Sequence, residues 1–398
     1  MKILLTNNLD NWLQSCAKTN LRQTLLPAQI DINHSSVLQS QLLLDYRLRA
    51  GTAAALQEYS LKRKDPVIVT VSQAKLACVS LPTANNELEE HYYFVNNQGE
   101  WLTENPYLSA SQYWFGGAMP SGDNSKDFYA TLQLPARTIE ISDSNASGAV
   151  FLGGRMNWTH WNIDFLPGLL MINPEKCRTL LTSKLNAWQN DSLDFFGFSD
   201  HDKLQISLGA GITIYCMPEL TFTWNFDQID RAHFLRKQIN SKRSQLCLYT
   251  DLKLLAPDFR HADRVQRVAN PIDLFKVIER AKGVLCIPSK LSYQEKLKLY
   301  SRGQTIITLP GSDSINSFLF SASASKIIQF IIWPNNLLLP LSHYSILISY
   351  RQLAYQAHCC NIMPFFNEEL PSSSNMCFDI SQKYSAKKLE ALLDLHCL

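Results

Sequence analysis

The sequence predicts an α/β chain of two domains, on three observations. Its 398 residues exceed what one hydrophobic core usually supports. From Gly148 onward, short apolar runs alternate with helical stretches, the pattern of strands joined by crossover helices in a parallel sheet. Helix starts carry matched signals: Asn270 precedes Pro271 at a first helical position, and Ser292 stands three residues ahead of Glu295 as a capping box.

Residues 1–140 read as an irregular α+β portion. A helical stretch over Val37–Lys62 precedes a strand at PVIVTVS (Pro66–Ser72), and HYYFVNNQGEW (His91–Trp101) is a hairpin turning at Asn-Asn-Gln-Gly. GAVFLGG (Gly148–Gly154) is the next strand, with a helix after it. GAGITIYCMP (Gly209–Pro218) ends another strand, and a helix around Ile229–Ser241 bridges to the second domain. There the order is strand SQLCLYT (Ser244–Thr250), helix Pro271–Ala281, strand GVLCIP (Gly283–Pro288), helix Tyr293–Arg302 and strand QTIITLP (Gln304–Pro310). Apolar runs at Ile327–Trp333 and Leu337–Leu341 have the length of buried strands. The amphipathic helix Tyr384–Leu395, after a Ser-rich loop at Ser372–Ser374, is expected to pack back on the first domain. These readings give an N-terminal domain at 1–235, a C-terminal domain at 236–380 and a returning helix at 381–398.

Composition narrows the function classes. Hydrophobic residues at 46% against 18% charged describe a globular chain, and a net charge of +2 leaves no concentrated basic footprint for nucleic acid. Ten cysteines without C-x-x-C spacing suggest neither zinc sites nor a disulfide framework, so free thiols in a reducing cytoplasm are expected. No 18-residue apolar stretch occurs, which argues against a transmembrane segment and leaves peripheral membrane association open. No paired-Asp motif sits on a strand-end loop, and FDQID at Phe226 reads as a helix start, so neither a metal nor another cofactor is expected.

Two constellations carry chemistry. In GGRMNWTHWNIDFLPGLL (Gly153–Leu170) a strand exit and polar turn lead into a helix with His160 and Asp164 four residues apart, hence on one face. A carboxylate beside an imidazole holds its tautomer and raises its basicity, as deprotonating a hydroxyl requires. Gly168 continues that face without bulk, while Trp161, Phe165 and Leu169 form a separate stripe that can anchor the helix in a core. Pro167 is expected to kink the helix past the pair. Spacing alone leaves open a hydrogen-bonded core pair, which is the commoner arrangement.

The second constellation is PGSDSINSF (Pro310–Phe318), read as a small polar turn leading into a helix. Backbone N–H groups at a helix start suit a diphosphate. Gly311 allows close approach, Ser312 and Ser314 offer hydroxyls, and Asn316 either caps the helix or binds a phosphate or ribose oxygen. In HADRVQRVAN (His261–Asn270), Arg264 and Arg267 can bind phosphate oxygens bidentately. An ordinary strand-to-helix turn and salt-bridged surface arginines are the alternatives.

The string NWTHWNIDFLP (Asn157–Pro167) resembles the Asn-aromatic-x-His-Trp-x-x-(Asp/Glu)-x-x-Pro signature of glycosyltransferase family 61. LSYQEKLKLYSRGQTIITLPGSDSINSFLF (Leu291–Phe320) and SYRQLAYQAHCCNIMPF (Ser349–Phe365) are similar to later segments of that family, in the same order. The resemblance implies a GT-B type glycosyltransferase, with two Rossmann-like domains facing a cleft. It also implies metal-independent, inverting transfer of a sugar from a nucleotide-sugar donor to a hydroxyl of a glycan, in polysaccharide biosynthesis, or of a protein acceptor. His160 or Asp164, or the two as a unit, would be the catalytic base. Arg264, Arg267, Gly311, Ser312, Ser314 and Asn316 would hold the donor, and Arg155, Asn157 and Trp161 would line the acceptor side or cleft. The chain departs from the family at Pro310, where a His is common, and at Asp313, in place of a second Gly. Those departures keep open a catalytically degenerate member acting as a carbohydrate-binding or scaffold protein. A dinucleotide-dependent oxidoreductase is weakened by the lack of G-x-G-x-x-G after a strand, since G-A-G at Gly209 precedes one.

Overall fold

The computed structural model describes residues 2–6, 9–16, 19–23, 65–82, 88–102, 128–131, 135–141, 148–154, 157–172, 175, 177–206, 209–224, 227–246, 250–261, 268–309, 312–331, 361–366 and 383–397. It is a mixed α/β structure. The described residues fall into two compact units, those up to Arg231 in the first and those from Ala232 in the second. The expected helix Val37–Lys62, the run Leu337–Leu341 and the loop Ser372–Ser374 lie outside the described residues.

In the first unit, β1 (Lys2–Thr6), α1 (Leu9–Gln14) and β2 (Thr19–Gln23) precede the long β3 (Val67–Pro82), β4 (Leu88–Val95) and β5 (Glu100–Leu102). The hairpin expected at His91–Trp101 forms: β4 and β5 pair antiparallel, and Asn96 Oδ1 accepts from the amides of Gln98 and Glu100 across the turn. Gly99, at φ +81, supplies the left-handed turn conformation. Next come β6 (Phe128–Thr131), β7 (Ala136–Glu140), β8 (Ala149–Gly153), the helical run α2 (Trp158–Leu170), β9 (Thr179–Thr182), α3 (Ala187–Phe195), β10 (Asp202–Gln205) and β11 (Gly211–Trp224).

These strands make one sheet of order β10-β9-β8-β11-β3-β4-β5-β1-β6, with β2 beside β3 and β7 beside β11. Parallel pairing runs through β10, β9, β8 and β11, the strands on either side of α2 and α3, whereas β11–β3 and β3–β4 are antiparallel. The β3–β11 pair packs Val69, Val71, Phe222 and Trp224 with Phe94, Phe151 and Trp12 in one core; Phe94 stacks on Phe222 at 3.7 Å. β11 does not end at Pro218, as the proline suggested, but runs on to Trp224. Pro218 falls where Met217 pairs with Ala74 and Glu219 with Ser72, opposite Gln73 in a left-handed conformation at φ +52. The irregular partner there removes the need for a proline N–H.

The helix α4 (Gln228–Gln245) carries the chain from one unit into the other. Its length overturns the start of the expected strand Ser244–Thr250: Ser244 and Gln245 are helical, residues 247–249 lie outside the described residues, and the next described strand is β12 (Leu252–Pro257). After it come α5 (Pro271–Arg280), β13 (Val284–Cys286), a 3-10 turn at Pro288–Lys290, α6 (Tyr293–Tyr300), β14 (Gly303–Thr308), α7 (Ser312–Phe320), β15 (Lys326–Ile331), β16 (Asn361–Phe366) and α8 (Ala386–Cys397). The five strands pair parallel in the order β13-β12-β14-β15-β16. Strand order therefore reverses between β12 and β14. The capping box is present, with Glu295 N–H on Ser292 Oγ and Ser292 N–H on Glu295 Oε2.

Asn270 precedes α5 but makes no side-chain cap. Its amide instead bonds both backbone groups of Tyr384, Nδ2 to O at 2.7 Å and Oδ1 from N at 3.1 Å. This joint seats α8 inside the second unit, where Leu389 and Leu393 share a core with Leu274, Val277 and Ile278 of α5; the helix was expected on the first domain. No described helix is long and apolar enough to cross a membrane.

Candidate active site

β8 ends in two glycines that the geometry requires. Gly153 has φ +67, and a Cβ there would stand 2.8 Å from the Phe151 ring and 2.9 Å from that of Phe165. Gly154 has φ +148 and is closed in by the Ser183 and Trp161 side chains. The chain then enters α2, whose first turn is capped by Asn157: its Oδ1 accepts from the amides of Thr159 at 2.9 Å and His160 at 3.2 Å.

α2 is not a uniform α-helix. Trp158–His160 is α, Trp161–Phe165 is a π turn in which the Leu166 amide reaches Trp161 O five residues back, and Leu166–Leu170 is α again. Pro167, expected to kink the helix, has no N–H to give to the ladder, and it follows directly on this wide turn.

On this helix His160 Nδ1 and Asp164 Oδ2 are 2.6 Å apart, with the side chains 28% and 13% exposed. When Nδ1–H donates to the carboxylate, the Nε2 lone pair is the acceptor, and Nε2 has no hydrogen-bond partner among the described residues. Asp164 is held from behind by Arg231 in the first turn of α4. Arg231 Nη1 donates to the Asp164 carbonyl at 3.0 Å and stands 3.6 Å from Oδ1, and its side chain is 6% exposed. Sequence reasoning missed Arg231 because it lies 67 residues away. One local signal existed: a cation at a helix N-terminus opposes the helix dipole and calls for another partner.

Trp161 has no exposed surface, and its Nε1 donates to Ser192 Oγ at 2.8 Å, so it is a core anchor, as its stripe predicts, and not a wall for an acceptor. Phe165 and Leu169 are buried beside it, and Gly168 is buried as well, so that end of the face is closed. Asn157 uses its side-chain oxygen on the helix start. Arg155 lies outside the described residues.

In the second unit the polar run after β14 is not a turn: Ser312 to Asn316 form the first part of α7. Asn316 therefore does not cap that helix. It is 3% exposed, and its Oδ1 has no hydrogen-bond partner among the described residues. Ser314 is fully buried, Ser312 half-buried, and Asp313 is 2% exposed in the first turn. Arg264, Arg267, Pro310 and Gly311 lie outside the described residues. The described cation just past β12 is Arg260, paired with Asp258 and stacked 3.8 Å above Phe275. Arg260 holds the Asp258 carboxyl below the usual carboxylate range. Among the described residues no group of three His, Cys, Asp or Glu could hold a metal ion.

No protein-family model matches the chain, and no curated protein matches it.

Proposed function

We propose that this chain is a glycosyltransferase that uses His160, oriented by Asp164, as the base that deprotonates an acceptor hydroxyl. The observation that carries the reading is the 2.6 Å contact from Nδ1 to Asp164, which leaves Nε2 of a part-exposed imidazole without a described partner. An imidazole fixed at one nitrogen by a carboxylate and open at the other is the arrangement general-base chemistry uses. Arg231 keeps the carboxylate in place behind it.

The proposal includes a two-domain architecture of the GT-B type, an inverting displacement, a nucleotide-sugar donor and a glycan or protein acceptor. The second unit lends support through its strand order. Ligands of open parallel sheets sit beyond the carboxyl ends of strands where the order reverses. The sequence that follows β12 carries Arg264 and Arg267, and the helix α7 with Ser312, Ser314 and Asn316 follows β14, these being the two strands at that reversal.

The test is transfer or slow donor hydrolysis with a panel of nucleotide-sugars, scored per folded molecule. His160→Ala should lower turnover about 10²-fold or more, and His160→Ala/Asp164→Asn should be little worse than the poorer single variant. Wild-type turnover in His160→Ala would remove the base from the proposal.

One observation favours a second reading, a degenerate member that binds carbohydrate without transferring it. Asp313 sits buried at the positive end of α7, where a diphosphate would need that end for itself. Donor hydrolysis separates the two.

A further inference from the structure

The second unit holds a cation that the sugar-transfer reading does not use. Arg236, midway along α4, is 3% exposed, and neither Nη1 nor Nη2 has a hydrogen-bond partner among the described residues. Its guanidinium carbon lies 5.3 Å from the ring centre of Phe318 of α7. One turn further along α4, Asn240 also has a buried Oδ1 without a described partner. Arg243, on the same face another turn on, meets the same helix in the opposite way. Its Nη2 donates to the carbonyls of Phe320 at 2.8 Å and Ser321 at 2.6 Å, and its Nε donates to Ser301 Oγ. The carboxyl end of α7 is thus already capped, and the Arg236 charge is not needed there.

A guanidinium keeps its charge at physiological pH, and a buried ion without a counter-charge is strongly unfavourable. A cation–π contact offsets only part of that cost. The two terminal nitrogens of a guanidinium match two oxygens of one oxyanion. Asn240 adds a third contact: turned over about its last bond, its amide presents NH2 where Oδ1 now stands. Three contacts fit the tetrahedral oxygens of a phosphoryl group better than the two of a carboxylate.

We infer that Arg236, with Asn240 beside it, anchors an oxyanion site in the second unit that takes a phosphoryl group. The long Arg236 side chain admits the anion by a change of rotamer that frees its buried nitrogens. A nucleoside diphosphate and inorganic phosphate present the same chemistry, and the inference does not depend on sugar transfer.

The experiment compares melting of the full chain, wild type against Arg236→Met and Arg236→Lys, at constant ionic strength set with chloride. Sodium phosphate and uridine diphosphate are titrated separately. Without phosphate, Arg236→Met should melt above wild type, because a buried charge without a partner among the described residues is gone. Wild type should gain melting temperature with added phosphoryl ligand, and Arg236→Met should not. Arg236→Lys, which keeps the charge without the fork, should need at least about 10-fold more ligand for the same rise. A response to the nucleotide where inorganic phosphate has none assigns the site to nucleotides, and an equal response assigns it to free phosphate. Equal responses in wild type and Arg236→Met would overturn the site. So would an Arg236→Met chain that is less stable than wild type or does not fold, since the guanidinium would then already be compensated.

Discussion

Replacing Arg231 by Met tests whether the His160–Asp164 pair is held by a buried charge. The substitution keeps side-chain length and removes both contacts to Asp164, the 3.0 Å hydrogen bond to its carbonyl and the 3.6 Å approach to Oδ1. Two unit charges 3.6 Å apart attract by about 4–5 kcal/mol at an effective dielectric constant of 20. With the partners 6% and 13% exposed, the pair belongs with buried ones, whose disruption costs about 3–5 kcal/mol, less the burial of charge avoided at position 231. The expected loss is about 3 kcal/mol. Urea unfolding followed by tryptophan fluorescence is the assay, because Trp12, Trp101, Trp158, Trp161, Trp188 and Trp224 all lie in the first unit. A loss under about 1 kcal/mol would put the contact among exposed ion pairs and refute the role given to Arg231.

Gly154→Ala should cost about 2–4 kcal/mol, from strain at φ +148 and from crowding Ser183 and Trp161. Gly197→Ala, at φ +87 with nothing within 4 Å, should cost only the left-handed strain of about 1–2 kcal/mol in the same urea assay. Ser292→Ala should lower the stability of the second unit by about 1 kcal/mol, read as faster amide exchange in the first turn of α6. Asp251, Asp258 and Glu295 have carboxyls held low by Arg302, by Arg260 and by the Ser292 amide. Since the unfolded chain binds those protons more tightly, the stability they contribute is complete only above about pH 5 and is lost as pH falls through the lowered folded values. Arg302→Met should make that acid loss shallower in melts run from pH 6 to pH 2.

Local signals were legible in the sequence because local contacts decide them. The hairpin at Asn96–Gly99 rests on one Asn side chain and one left-handed Gly, and the α6 start rests on Ser292 and Glu295. The 2.6 Å contact of His160 with Asp164 follows from residues four apart. What misled were positions settled by distant partners. Ser244 and Gln245 read as the start of a strand, yet α4 runs through Gln245, with Arg243 fastened to Phe320 and Ser321. Pro218 marks a strand end only when its neighbour needs an N–H, and Gln73 does not. The run Ser312–Asn316 has turn composition, but its burial in α7 outweighs propensity.

The π turn in α2 sets the angular phase of the residues on either side of it. One residue of an α-helix is worth about 100° of rotation, and a turn closed five residues back instead of four holds one extra residue. His160 and the stretch Leu166–Leu169 are therefore offset from the bearings an unbroken helix would give them. The offset lets the downstream stretch be buried all round, proline and glycine included, while the imidazole upstream stays 28% exposed. Closing Trp161–Phe165 as an α turn with every residue kept would turn His160 by about 100° relative to the anchored half, whereas removing one residue together with the wide turn would leave its bearing unchanged. The bearing of the imidazole is thus written in how one turn closes as much as in the residues that touch it.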